Sequence, residues 1–160
     1  MAIEIGDTLP EVVLCRLRDG LERIDTPSLF RGKKAVLFGV PGAFTPTCSE
    51  KHLPGFVARL DDFHARGIEV YCVAVNDPFV MKAWGKARNV PETLPLLSDG
   101  NGDLTRALGL EMDASGSGMG MRSRRYALYA DNGVVRALWV ETPGQFDASS
   151  AEAVLAALPG

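Results

Sequence analysis

The sequence is poor in the residues that mark several large classes of protein. Three cysteines, Cys15, Cys48 and Cys72, stand in a chain of 160 residues. That number is odd and sparse, so a disulfide scaffold is excluded. With no C-x-x-C and only two histidines, His52 and His64, a structural zinc site is not expected. No long basic run occurs, and the net charge is −3, which argues against nucleic acid or anionic lipid as partners. The longest apolar run, Ala35 to Phe44, is about half of the ~20 residues that a membrane-crossing helix requires. Neither G-x-G-x-x-G nor G-x-x-x-x-G-K-[ST] is present, so the Gly/Ser-rich stretch Ala114 to Gly120 reads as a flexible loop rather than a phosphate cradle. The start, Met1 to Pro10, carries Glu4 and Asp7 and lacks an apolar stretch of signal-peptide length; a cytoplasmic protein is expected.

What is present fits one ordinary domain over residues 1–160. Hydrophobic residues make up 46% and charged residues 23%, a globular balance. A chain of this length hides roughly two-thirds of its unfolded surface and can hold a core without staples.

Strand and helix signals alternate. Val12 to Leu17 and Leu21 to Asp25 flank Asp19-Gly20 and predict a hairpin. Ala35 to Val40 and Ile68 to Val75 are continuous apolar runs, as strands buried on both faces require. Between them Leu53, Phe56, Val57, Leu60 and Phe63 recur at steps of three and four and predict a helix that Pro54 bends or restarts. Asp77-Pro78 signals a helix start, with Phe79, Val80, Ala83, Trp84 and Ala87 on one face. Leu96 to Ser98 predicts a short strand, and Asp103 to Leu110 a short helix. Arg124 to Ala130 and Val134 to Val140, joined by Asp131-Asn132-Gly133, predict a second hairpin. Ser149-x-x-Glu152 reads as a capping box before a helix from Ala153 to Leu158. The order implies an α/β sandwich whose mixed sheet is parallel near its centre and antiparallel at one side. Sites in such folds lie beyond the carboxyl ends of the parallel strands, where Cys48 falls.

Cys15 and Cys72 lie within predicted strands, as small buried hydrophobes do; Cys72 has a second reading, as a redox partner of Cys48. Cys48 follows Pro41-Gly42-Ala43-Phe44-Thr45-Pro46-Thr47 and opens a helix. Unpaired N–H groups and the helix dipole favour thiolate there. A free cysteine is only about 3% thiolate at pH 7, and making one mostly thiolate takes about 3–4 kcal/mol. A helix end contributes up to about 2 kcal/mol. A further cation is needed, and Arg122, Arg124, Arg125 or Lys51 could supply it.

Pro41 to Cys48 resembles the P-x-x-x-T-x-x-C motif of peroxiredoxins. The string from Phe38 to Val57, FGVPGAFTPTCSEKHLPGFV, is similar to the type II subgroup in particular. The likeness continues through Val73 to Val80 and Arg122 to Tyr126, and ends in Ser149 to Glu152. It implies a thioredoxin-like fold with an N-terminal β-hairpin. It also implies a thiol peroxidase acting on hydrogen peroxide and small alkyl hydroperoxides, in which Cys48 attacks the peroxide and becomes a sulfenic acid. Thr45 matches the threonine that hydrogen-bonds peroxide and thiolate, Pro41 the proline that shields the sulfur, and Arg125 the arginine that stabilises thiolate and transition state.

The chemistry needs such groups. Complete ionisation gains only about thirtyfold over free cysteine. The rest must come from donors aimed at the oxygen where charge grows, and N–H groups of Ala43, Phe44, Thr47 or Cys48 can add to Arg125 and Thr45. His52, four residues after Cys48, reads as structural, although the subgroup commonly has a histidine there. His64 reads as solvent-facing.

Some type II relatives carry a resolving cysteine before the last helix; here Gly144 to Ser150 has none. Cys72 matches a second cysteine of plant-like members. The resemblance implies no metal, flavin or nucleotide, an external reductant (glutathione with glutaredoxin, or thioredoxin) and a homodimer. Phe44, Phe79 and Met119 to Met121 are candidate surface residues. Two rivals stand beside it: a thiol–disulfide oxidoreductase, which normally has the first cysteine this chain lacks, and a peroxide sensor or holdase that uses Cys48 oxidation without efficient turnover.

Overall fold

The computed structural model describes residues 2–158. Nine strands and six short helices run in the order β1 (Val13–Leu17), β2 (Leu21–Asp25), α1 (Thr26–Phe30), β3 (Lys34–Val40), α2 (Leu53–Ala58), α3 (Leu60–Ala65), β4 (Ile68–Ala74), α4 (Pro78–Ala87), β5 (Leu96–Ser98), α5 (Asp103–Leu108), β6 (Glu111–Asp113), β7 (Met121–Ser123), β8 (Tyr126–Asp131), β9 (Val134–Val140) and α6 (Ala151–Ala157). A seven-stranded sheet has the order β2-β1-β5-β4-β3-β8-β9. β5, β4 and β3 are parallel, and antiparallel pairs flank them on both sides. The sequence places antiparallel pairing at one side only, because nothing local shows that the first hairpin docks on β5 through Cys15 and Ser98.

The sheet separates two apolar layers. On one face Val36, Phe38, Val40, Val70, Cys72 and Ala74 meet α2, α3, α4 and α6. On the other Ala35, Leu37, Tyr71 and Val73 meet α1, α5 and the N-terminal segment. This explains why β3 and β4 read as unbroken apolar runs. Each fully buried aliphatic or phenyl side chain in them contributes about 1.5–3 kcal/mol.

Most predicted elements are present. Asp77 caps α4 by accepting from the Val80 N–H at 2.8 Å, with Pro78 opening the helix. Asn132 and Gly133 take φ of 52° and 78°, the left-handed pair that a tight hairpin demands. Other expectations shift. Ser150, not Ser149, caps the last helix, which starts at Ala151; the Ser149 hydroxyl is drawn away to the buried Glu141 carboxylate. The Ala114 to Gly120 stretch is the tip of a small β6–β7 hairpin with a single helical turn at Ser115–Ser117. Cys15 is half-buried rather than fully buried, since β1 is next to the sheet edge. His64 is partly covered, 4.0 Å from Glu69. Among the described residues no helix is long and apolar enough to cross a membrane.

Candidate active site

The site begins where β3 ends. Pro41 leaves the strand and the chain turns through Gly42 to Thr45. Phe44 sits at φ 65°, a left-handed conformation that costs a non-glycine residue about 1–2 kcal/mol. Neighbouring elements hold that turn. The Ala43 N–H donates to Asn76 Oδ1 (2.9 Å) at the end of β4. Arg122 donates to the Met119 and Val75 carbonyls (2.9 and 3.1 Å), tying the β6–β7 hairpin to the same corner.

The Thr45 carbonyl accepts from the Ser49 N–H at 2.9 Å and starts the helix. The N–H groups of Thr47 and Cys48 precede that bond and have no backbone partner among the described residues. Ala43, by contrast, spends its N–H on Asn76, so of the four candidate donors it is removed from the set.

Cys48 opens a wide helical turn, Cys48–His52, in which Leu53 N–H reaches back five residues to the Cys48 carbonyl. Pro54 accounts for it. A proline there has no N–H for the ordinary bond and would press on the carbonyl four residues back, and a widened turn relieves both. The predicted single helix is further divided at Arg59, whose φ is −107°.

Cys48 is fully buried. Among the described residues one cation reaches it: Arg125 Nη2 lies 3.3 Å from Sγ and donates to it. Among the candidate arginines, Arg122 is used at the corner described above. Arg124 donates to the Glu141 carbonyl at 3.0 Å. Lys51 is exposed. Arg125 follows the small hairpin and precedes β8. Its neighbour Tyr126 pairs with Gly39, and a Cβ on Gly39 would run into the Tyr126 ring. Only glycine leaves room for that ring across β3, and the β3–β8 register brings Arg125 level with the end of β3.

The same guanidinium has a second anchor, which the sequence reading leaves as structural. Nη1 of Arg125 lies 3.0 Å from His52 Nδ1, and His52 Nε2 lies 3.0 Å from the Ser149 carbonyl. Arginine has only donors, so Nδ1 accepts and Nε2 carries the proton. Burial, reinforced by the Arg125 charge, pushes the imidazole down to about 3, so it is neutral at physiological pH. Phe38, Phe56 and Phe146 surround the ring at centroid distances of 5.0, 5.6 and 5.1 Å. Phe146 also lies 5.8 Å from the guanidinium carbon.

Thr45 departs from expectation. Its hydroxyl donates to the Gly42 carbonyl at 2.6 Å, not to sulfur. The free lone pairs of Oγ1 are therefore what it can offer a ligand. Thr45, Pro41, Arg125, Met112 and Met119 line a groove of about 220 Å3 that also takes in Pro143. A roomier groove of about 390 Å3 runs between α4 and the β1–β2 hairpin and holds no cysteine. Cys72 is buried in mid-β4, between Phe38 and Leu96 in the sheet. Burial first, and the nearby Cys48 charge second, push its thiol well up. Among the described residues no cluster of histidine, cysteine and acidic side chains could hold a metal ion.

Sequence and structure comparisons identify the family. Residues 4–155 match the Redoxin family. The chloroplastic peroxiredoxin-2E-2 of Oryza sativa is 53% identical over 98% of this chain and 72% of its own. Peroxiredoxin-2D of Arabidopsis thaliana is 46% identical over 98% of both chains. The crystal structure of reduced Prx3 from Vibrio vulnificus in complex with hydrogen peroxide superposes with a TM-score of 0.92. It is 51% identical, covering 97% of this chain and 98% of the other. The chain belongs to the redoxin family and, within it, to the type II peroxiredoxins, with their thioredoxin-like fold and thiol peroxidase class of activity. One relative being chloroplastic, the cytoplasmic address expected from the sequence is not a property of the family.

Proposed function

We propose that this protein reduces hydrogen peroxide and small alkyl hydroperoxides at Cys48. The observation that carries the reading is the contact between Arg125 Nη2 and Cys48 Sγ at 3.3 Å, on a sulfur shielded from bulk water. The guanidinium donates a hydrogen bond to the sulfur and sets its positive charge beside it. The thiolate attacks the terminal peroxide oxygen. The S–O bond forms as the O–O bond breaks, sulfur is oxidised by two electrons, and the leaving alkoxide or hydroxide takes a proton to become alcohol or water. Arg125 and the N–H groups of Thr47 and Cys48 stabilise the charge that grows on the leaving oxygen. Thr45 Oγ1, its proton held by Gly42, accepts the peroxide O–H and so orients the substrate. Pro41 walls the groove and keeps water from the sulfur.

The sulfenic acid is reset from outside. Glutathione attacks the sulfur, releasing water and leaving a mixed disulfide, and a dithiol protein such as glutaredoxin or thioredoxin reduces it. The deep burial and high pKa of Cys72 support this one-cysteine route. The cycle needs no metal, flavin or nucleotide. Phe44 and Phe79 are 54% and 67% exposed on segments flanking the Asn76–Ala43 hydrogen bond, which favours a homodimer packed beside the site. The protein is taken to work in the cytoplasm.

The test adds one equivalent of hydrogen peroxide to reduced protein, blocks free thiols and maps the cysteines by mass. Rapid, selective loss of the Cys48 thiol, with a trappable sulfenic acid, is expected. Three cysteines that persist, or that react only as fast as free cysteine, overturn the reading.

A further inference from the structure

Behind Arg125 and His52 lies a buried carboxylate that the reaction does not use. Glu141 directly follows β9 and is only 6% exposed. One oxygen, Oε2, accepts three hydrogen bonds: from the Asp147 N–H (2.7 Å), the Ser149 N–H (2.8 Å) and the Ser149 hydroxyl (2.8 Å). Burial acts to raise its pKa, but the hydrogen bonds from Ser149, Asp147 and Ala148 outweigh it and hold the group below the usual carboxylate range. A buried charge is costly unless its partners are all in place, so this one is tied to a single loop conformation.

That loop, residues 142–149, has two contacts with the site. Its last residue presents the Ser149 carbonyl to His52 Nε2, and Phe146 lies over the His52 ring and the Arg125 guanidinium. Residues 142–145 are exposed and belong to no helix or strand, so little else fixes the segment. Glu141 also grips the strand side: its N–H donates to the Arg125 carbonyl at 2.9 Å, and its carbonyl accepts from Arg124. It thus holds both the backbone of the arginine and the loop that orients the arginine's histidine partner.

We propose that Glu141 is a positioning residue for peroxide reduction, acting through the 142–149 loop and His52 to keep the Arg125 guanidinium on Cys48. This rests on the reading of Cys48 as the reacting thiol. A carboxylate that served only to tether the loop would change stability and leave the sulfur untouched.

Glu141→Gln keeps an acceptor without charge; Glu141→Met keeps the length and removes the acceptor. Two quantities are read on folded protein, with unfolding midpoints measured alongside. One is the second-order rate of Cys48 oxidation by hydrogen peroxide. The other is the pH midpoint of Cys48 alkylation by iodoacetamide, followed by mass. The Met variant is expected to react about tenfold more slowly, with its alkylation midpoint moved upward, and the Gln variant to recover to within about threefold of the parent. In a His52→Asn background the Met substitution is expected to add little, since both act on one relay. Unchanged rate and midpoint in a folded variant, or losses that multiply in the double variant, overturn the inference. If the Met variant does not fold, Glu141→Gln decides alone: a fall in rate of about two- to threefold with the midpoint moved upward sustains the inference, and a rate and midpoint equal to the parent's overturn it. A slow parent protein would overturn the reading of Cys48. A fast parent with unmoved variants would overturn only the role of Glu141.

Discussion

His52 Nδ1 accepts a hydrogen bond from Arg125 at 3.0 Å, which makes a buried neutral imidazole the partner of the active-site cation. Protonating that ring would set an N–H against a guanidinium inside an aromatic cage. The folded state therefore refuses a proton that the unfolded chain accepts near pH 6.5. The sign follows: stability is full above pH 6.5 and is lost as pH falls toward the folded value of about 3. Between about pH 7.5 and 5 the loss should be about 2 kcal/mol. Glu141 and Asp25, whose pKa values are lowered, titrate below that window. Urea unfolding of the parent and of His52→Gln at the two pH values checks this; the variant should lose about 2 kcal/mol less. Equal losses would show that the ring is not buried neutral.

Arg125 divides its guanidinium between sulfur and imidazole, and a lysine cannot do both. Its ammonium is a point charge without the planar fork. Arg125→Lys should therefore keep the charge and still lower the rate with peroxide by roughly a hundredfold, the scale for losing a donor aimed at a developing oxyanion. Stopped-flow oxidation of the reduced protein measures it. A lysine variant within a few-fold of the parent would mean that net charge, not placement, activates Cys48.

The sequence carries the fold and the nucleophile more fully than the network behind them. Apolar runs at β3 and β4, the Asp77-Pro78 cap and the Asn132-Gly133 turn are local signals, and the structure follows them. The P-x-x-x-T-x-x-C string marks Cys48, but the choice among Arg122, Arg124 and Arg125 depends on which way a strand end faces, and the resemblance alone singles out Arg125. Ser149 shows the opposite case. Its position suits a helix cap, yet a long-range carboxylate claims its hydroxyl and the cap moves to Ser150. Glu141 leaves no signal beyond an acid after an apolar strand, because its three donors lie six to eight residues further on.

Gly39 tests how tightly the sheet sets the site. A methyl group there would collide with Cε1 of the Tyr126 ring, which is fully buried. Gly39→Ala should cost about 1–3 kcal/mol, as overpacking does, or more if β3 and β8 must part. It should also slow peroxide reduction, since Arg125 adjoins Tyr126. Thermal unfolding and the oxidation rate, taken together, decide it. A lower midpoint with an unchanged rate would show that Arg125 is placed by His52 and Glu141 rather than by the strand.

Cys72 decides the reset. It shares an apolar cluster with Cys48, on the helix-covered face of the sheet. Proximity is not enough for exchange, because the attacking group must be a thiolate. Burial holds the Cys72 thiol in its protonated form. A disulfide also has a narrow geometry, and β4 is paired on both sides at Cys72, with Phe38 and with Leu96. The turn that carries Cys48 is itself held by the Trp84 Nε1–H bond to Ser49 Oγ (2.9 Å), so unwinding it would break that bond. Glutathione brings its own thiol along the groove lined by Thr45 and Arg125, and its attack on Cys48 leaves the pairing of β4 intact. Cys72→Ser should therefore sustain turnover with glutathione and glutaredoxin at a rate within about twofold of the parent. It should lose about 1–3 kcal/mol of stability for a hydroxyl in an apolar site. Loss of turnover in a folded Cys72→Ser protein, with a Cys48–Cys72 disulfide mapped in the oxidised parent, would replace the external reset with an internal one.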